Sequence, residues 1–266
     1  MKKILALLLA ALMVGSMMTG CTKQEATSGE ESAQTQQTES DAKEEPVEEE
    51  TQAAFTGAYI ADPEYIKSKI GSEDVIFIDA RGADAAKKGT IEGAIATAWQ
   101  PLARCAEGAS GDEMWGTILP LDQLSEVLSS MGITPDKEII LFSDGKDGWG
   151  DDGRIAWELL AVGFENVKIA DCGFSALKEA GVPTQKGAAE FTPAEVTVSE
   201  LDETHLINTD ALVETYDSVK VVDVRADEEY NGEVLYGEKA GGHLPGAIHI
   251  RFTDLFNDDN VLIFGF

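Results

Sequence analysis

The segment VIFIDARGADAAKKGTIEGAI (75–95) and its echo VKVVDVRADEEYNGEVLYGEKAGGHLPGAI (219–248) decide how this chain is built. Each opens on a short run of β-branched and aromatic residues, the pattern of a buried strand. Each run leads into Asp-x-Arg, and each segment closes on Gly-Ala-Ile. Asp79 and Arg81 correspond to Asp223 and Arg225, 144 residues on. Gly89, Gly93, Ala94 and Ile95 correspond to Gly242, Gly246, Ala247 and Ile248, 153 residues on. The second copy therefore carries nine extra residues, around Glu233 to Gly241. A repeat of this kind is one structural unit used twice.

Between the copies, strand and helix patterns alternate. Leu121, Leu124, Val127, Leu128 and Met131 recur at helical spacing, with Gly132 as the stop. Glu138 to Phe142 reads as a second buried strand, Arg154 to Val162 as a helix closed by Gly163, and Val167 to Ala170 as a strand. A helix near Phe174 to Ala180, closed by Gly181 and Pro183, follows. Such alternation predicts an α/β fold: a mostly parallel sheet flanked by helices, joined by right-handed crossovers. Ligands of such sheets sit at the carboxyl ends of strands, so the loop after Phe142 is the place for chemistry.

The 266 residues carry 20 Lys+Arg against 49 Asp+Glu, a net charge of −29. That balance argues against nucleic acid or an anionic lipid surface as partner. Three Cys (21, 105, 172) and three His (205, 243, 249) are too scattered for a metal cluster, and no cofactor is expected. At the N-terminus, Lys2 and Lys3 precede eleven apolar residues, Ile4 to Val14, too short to span a bilayer but suited to a signal peptide. Gly15 to Gly20 then lead to Cys21. This resembles the lipobox of bacterial lipoproteins, which implies cleavage after residue 20, acylation of Cys21 and attachment to the extracytoplasmic face of the cell membrane. Residues 21–56, with ten acids, two Lys and no aromatic before Phe55, read as an acidic, disordered tether. Residues 57–190 and 204–266 then hold the two copies.

Strand-Asp-x-Arg followed by a Gly-His-Leu-Pro-Gly-Ala-Ile segment (242–248) resembles the rhodanese-like domain family. The first copy adds Arg154-Ile155-Ala156-Trp157, Gly163 to Val167, and Asp171-Cys172-Gly173-Phe174, which match the second half of that family's pattern. The tandem order resembles two-domain thiosulfate sulfurtransferases, and the partner so implied is thiosulfate or another sulfane-sulfur donor. From the residues themselves, Asp79 and Asp223 can accept backbone N–H groups of the following loop. Arg81 and Arg225 can form bidentate pairs there, and His243 reads as a hydrogen-bonded turn residue. Those roles serve architecture as readily as catalysis.

The family's chemistry runs through a cysteine persulfide, so it needs a stabilised thiolate directly after the central strand. In the first copy that place is Ser143 or Asp144, and no Cys stands there. The following DGKDGWGDDG carries four Asp against one Lys, which repels an anionic donor. The first copy is therefore expected to be catalytically silent. Cys105 and Cys172 lie outside the loop and read as structural or free thiols. Ser143 lies fifty residues after Gly93, and the same step from Gly246 leads past Phe266, so the nucleophile is expected beyond Phe266 and the second copy to hold only its N-terminal part. A truncated product explains this better than a degenerate member. Asp144, Asp147, Asp151 and Asp152 also suggest calcium, but Trp149 and Asp152 stand where an EF-hand needs an oxygen ligand and a Gly. Two other readings compete: a non-catalytic module binding a small anion or a protein, and a solute-binding lipoprotein, which leaves the repeat unexplained.

Overall fold

The computed structural model describes residues 57–106 and 108–263. The signal, Cys21 and the tether lie outside the described residues. Val75-Ile76-Phe77-Ile78-Asp79 forms an inner strand of the first copy's sheet, beside the central one, and its side chains alternate between two cores. In chain order the elements are β1 (Ile60–Ala61), α1 (Pro63–Lys69), β2 (Val75–Asp79), α2 (Ala83–Ala86), β3 (Thr90–Ile91) and β4 (Ile95–Ala96). They continue with α3 (Leu121–Met131), β5 (Glu138–Phe142), α4 (Asp151–Ala161), β6 (Val167–Ala170), α5 (Phe174–Glu179) and β7 (Thr184–Gln185). The main sheet has the order β1-β6-β5-β2-β4, and every pairing in it is parallel. β2 and β5 pair from Val75↔Glu138 to Asp79↔Phe142, so both end at one level.

Strand periodicity distributes the core. Ile78, Ile139 and Leu141 face α3 and α4, meeting Leu124, Leu128, Ile155 and Leu159. Phe77, Ile140 and Phe142 face the other way, onto Ile66 of α1 and Leu177 of α5. Helix ends follow local chemistry. Asp62 caps α1 by accepting the Tyr65 N–H at 2.9 Å, with Pro63 in the first turn. Gly132 ends α3 at φ +69°, where a Cβ would run into the Thr192 carbonyl. The helix expected from Arg154 starts three residues earlier, because Gly150 (φ +75°) turns the chain and the first helical turn favours Asp151 and Asp152. Past residue 190 the chain lies along α3, where the Ser129 and Ser125 hydroxyls accept the Val196 and Val198 N–H groups at 3.0 Å.

The second copy contains α6 (Thr209–Thr215), β8 (Val222–Asp223), α7 (Asp227–Asn231) and β9 (Ile248–His249). β8 pairs β9 in parallel at Val222↔Ile248 and Asp223↔His249, the counterparts of Ile78↔Ile95 and Asp79↔Ala96. The repeat thus reproduces register as well as motif. Burial differs sharply. Ile78 is fully buried, whereas Val222 is 47% and Ile248 50% exposed. The strand expected over Val219 to Val222 is paired only at Val222 and Asp223, since no strand equivalent to β5 lies beside it among the described residues. A fully buried aliphatic side chain contributes about 1.5–3 kcal/mol, and these gain only part of that. Amide hydrogen exchange is expected to show strong protection for Ile76 to Ile78 and little for Val222 and Asp223. Equal protection of the two strands would contradict this account.

Candidate functional site

At the carboxyl end of β2 the buried Asp79 carboxylate is held from several sides. Arg81 Nε donates to its Oδ1 at 2.8 Å and Nη2 to its Oδ2 at 2.7 Å. The Arg81 N–H donates to Oδ1 at 3.2 Å, and the Thr90 hydroxyl to Oδ2 at 2.7 Å. Arg81 Nη2 also donates to the Gly89 carbonyl at 2.8 Å, tying strand, loop and the approach to β3 together. The second copy repeats the clasp. Arg225 donates to Asp223 at 2.9 and 2.6 Å and to the Gly242 carbonyl at 2.8 Å. His243 stands where the first copy has Thr90, but it does not join the clasp. Its Nδ1 lies 2.8 Å from the Tyr230 carbonyl, and Tyr230 stacks between the rings of His243 and His249 at 3.7 and 4.1 Å.

Arg81 links the clasp to the loop after β5. Its guanidinium lies 4.0 Å from the Phe174 ring centroid, and Nη1 donates to Asp144 Oδ1 at 3.3 Å. Ser143, the first residue after β5, is buried. Its hydroxyl serves the Gly145 N–H, at 3.4 Å, and the Asp152 carboxyl. Burial pushes the Asp152 carboxyl up despite that bond. The loop continues into the wall of a cleft of about 850 Å³, which Lys146, Asp147 and Trp149 share with Arg225, Glu229 and Tyr236 of the second copy. Trp149 and Tyr236 meet edge to face at 5.3 Å. Among the described residues no three His, Cys, Asp or Glu side chains are grouped to hold a metal ion, so the four loop Asp do not converge.

The two described cysteines are free thiols. Cys172 is buried behind β6, and burial together with the neighbouring Asp171 carboxylate pushes its thiol far up. Burial also raises Cys105, with Arg154 opposing. At neither thiol does nearby positive charge overcome burial, as it must to make a nucleophile at neutral pH. The structure also places Asn260, which sequence reading passed over, against the loop. Its Nδ2 donates to the Asp144 carbonyl at 2.8 Å, and its Oδ1 accepts the Lys146 N–H at 2.7 Å. Its one sequence signal is its place in Asp258-Asp259-Asn260, a turn composition that tolerates φ > 0.

Buried acids dominate the pH response of this end of the sheet. Burial, with Asp62 nearby, raises the Asp171 carboxyl to about 6. Burial likewise raises Asp151, Asp152 and Glu158. A carboxyl raised on folding costs stability once it ionises, so the cost is full above about pH 6 and fades towards the unfolded value. Asp223, lowered by its bond to Arg225, works the opposite way, losing its contribution below the ordinary carboxylate range. Thermal stability is therefore expected to rise from pH 8 to about pH 5 and to fall again in stronger acid. Asp171→Asn should flatten that rise, raise the melting temperature at pH 8 and increase the free energy of unfolding there by about 2 kcal/mol or less. A melting temperature that falls steadily from pH 8 to pH 5 would contradict this assignment.

Three comparisons bear on this geometry. Residues 62–180 match the family model of the rhodanese-like domain. A protein of Mycolicibacterium smegmatis named "Putative thiosulfate sulfurtransferase" is 23% identical over 208 residues, covering 75% of this chain and 72% of that protein. Among solved structures, the 3-mercaptopyruvate sulfurtransferase SseA from Escherichia coli superposes with a TM-score of 0.63 at 19% identity, covering 78% of this chain and 80% of its own. Tum1 from Saccharomyces cerevisiae gives 0.64 at 14% identity, covering 78% and 75%. With the parallel sheet, the Asp-Arg clasp and the loop after β5 in place, residues 62–180 are identified as a rhodanese-like domain.

Proposed function

We propose that this chain is a lipid-anchored, extracytoplasmic protein of the thiosulfate sulfurtransferase type whose 266 residues hold no persulfide-forming cysteine. In that chemistry a thiolate attacks the outer sulfur of thiosulfate, forms a persulfide and releases sulfite, and the sulfane sulfur then passes to an acceptor. The observation that carries the reading is the loop after β5: Ser143 stands in the nucleophile's place, buried and hydrogen-bonded, and both described thiols lie elsewhere with raised pKa. A hydroxyl cannot replace a thiolate here, because it stays protonated at neutral pH. The cleft shared by Lys146 and Arg225 favours a second reading, a silent module that binds a small ligand without turning it over.

The 266-residue chain is expected to form thiocyanate from thiosulfate and cyanide at the uncatalysed rate. Ser143→Cys should not raise it, because the surrounding Asp144, Asp147, Asp151 and Asp152 disfavour both a thiolate and an anionic donor. Turnover abolished by Cys172→Ser or Cys105→Ser would overturn the silent assignment. Binding of thiosulfate without turnover, measured by calorimetry, would select the module reading. For the anchor, Cys21→Ser is expected to leave the protein unprocessed or to release it from the membrane fraction. A correctly processed Cys21→Ser protein that stays on the membrane would refute lipid attachment.

A further inference from the structure

The loop after β5 is silent in sulfur chemistry, yet its polar groups are directed at one occupant. Lys146 N–H donates to Asn260 Oδ1 at 2.7 Å, and Gly173 N–H to the Asn260 carbonyl at 3.1 Å. The Lys146 ammonium donates to the Asn257 and Asp258 carbonyls at 2.6 and 2.8 Å. In return Asn260 Nδ2 donates to the Asp144 carbonyl at 2.8 Å and approaches Asp147 Oδ2 at 3.4 Å. Asn260 is buried and adopts φ +61°, a left-handed conformation that Asn tolerates better than most residues. The space for its amide exists because residues 145 and 173 are glycines, since a Cβ on either would overlap the Asn260 side chain. The next residues extend the seat: Leu262 N–H donates to the Asp171 carbonyl at 2.7 Å, and Val261 bridges Cys172.

We propose that the loop after β5, with Gly173, is a binding site for a primary carboxamide presented on a left-handed turn, and that its occupant is Asn260 of this same chain. The site then latches the second copy onto the first and sets the mouth of the cleft between Trp149 and Tyr236. The chemistry selects an amide. One side of the site offers a donor, the Lys146 N–H, and the other offers acceptors, the Asp144 carbonyl and the Asp147 carboxylate. A carboxylate or an oxyanion would set an oxygen against those acceptors. An aliphatic side chain would leave the Lys146 N–H without its partner, at a cost of about 1–3 kcal/mol. The charged groups facing Asn260 are Asp144, Lys146 and Asp147 of the loop, Asp171 at the end of β6, Asp258 and Asp259 of its own turn, and Arg81 through Asp144. Most are acidic, so they favour a neutral occupant.

Asn260→Asp tests this in the full chain. The substitution keeps shape and tolerance of φ > 0 but exchanges the donor for a charge. Near pH 8, amides of residues 143–148 and 257–262 are expected to lose about tenfold or more of their exchange protection, with a change in Trp149 emission. Burial and the acidic neighbours push the introduced carboxyl up, so as the pH falls to 5 its protonated form again offers a donor and an acceptor, and protection should return in part. Asn260→Gly suits the backbone but lacks the amide, and should lose protection at both pH values. β2 and β5 should stay protected throughout, as the control for an intact first copy. Wild-type protection in Asn260→Asp at pH 8, equal loss at both pH values, or collapse of β2 and β5 would each overturn the proposal. Because none of these readouts uses sulfur transfer, a failure here leaves the silent-enzyme reading untouched, and a failure there leaves the latch untouched.

Discussion

A fully buried carboxylate at the end of β2 is the constraint around which the first copy is arranged. An unpaired charge there would cost several kcal/mol, so every part of the chain that passes Asp79 supplies a donor. Arg81 gives two bonds and its own N–H, and Thr90 gives its hydroxyl. The Arg81 guanidinium, fixed by that pair, then holds the Gly89 carbonyl on one side and Asp144 on the other. The positions of β3 and of the loop after β5 thus follow from how one carboxylate is satisfied. Bidentate geometry matters, because a point charge at this position would fix distance without fixing orientation.

The same clasp in the second copy shows how little of the fold it supports alone. Arg225 reproduces the bonds to Asp223 and to the Gly242 carbonyl within 0.1 Å of those in the first copy. Yet β8 remains two residues long, with its apolar side chains half exposed. The clasp organises a turn, whereas burial on both faces of a parallel sheet supplies the stability. With β5 and β4 beside it and helices packed on either side, β2 gains both faces. With only β9, β8 gains neither fully. A small polar seat, the Asn257 to Leu262 turn against the loop after β5, joins the Trp149–Tyr236 contact and the Trp157 bond to the His205 carbonyl in tying the second copy to the first.

That loop sets the electrostatic field at the carboxyl end of β5. A persulfide site needs a thiolate and surrounding positive charge. Here the strand ends in a buried Ser143, the helix that follows begins with Asp151 and Asp152, and the Lys146 ammonium is committed to two backbone carbonyls. Cys172 is close in space, at the bridge to Val261, but an adjacent Asp171 carboxylate and burial keep it protonated. Position alone therefore does not make a nucleophile; the local field decides it.

Short-range patterns were enough to read much of this from the sequence. Alternation of apolar residues in 75–79 and 138–142 marks strands, helical spacing in 121–131 marks α3, and the Asp-x-Arg repeat carries register because side-chain direction and strand pairing are both local consequences of order along the chain. The Ser143 position and the acidic loop after it were legible for the same reason. The helix start at Asp151 was missed because Gly150 in a left-handed turn overrides the apolar pattern. The seat of Asn260 was beyond reach altogether. It joins residues far apart in the chain through backbone groups of Asp144, Lys146 and Gly173, whose N–H and carbonyl chemistry is the same for almost any residue type. Only folding brings those groups to one point, and only then does an ordinary asparagine become a point of contact between the two copies.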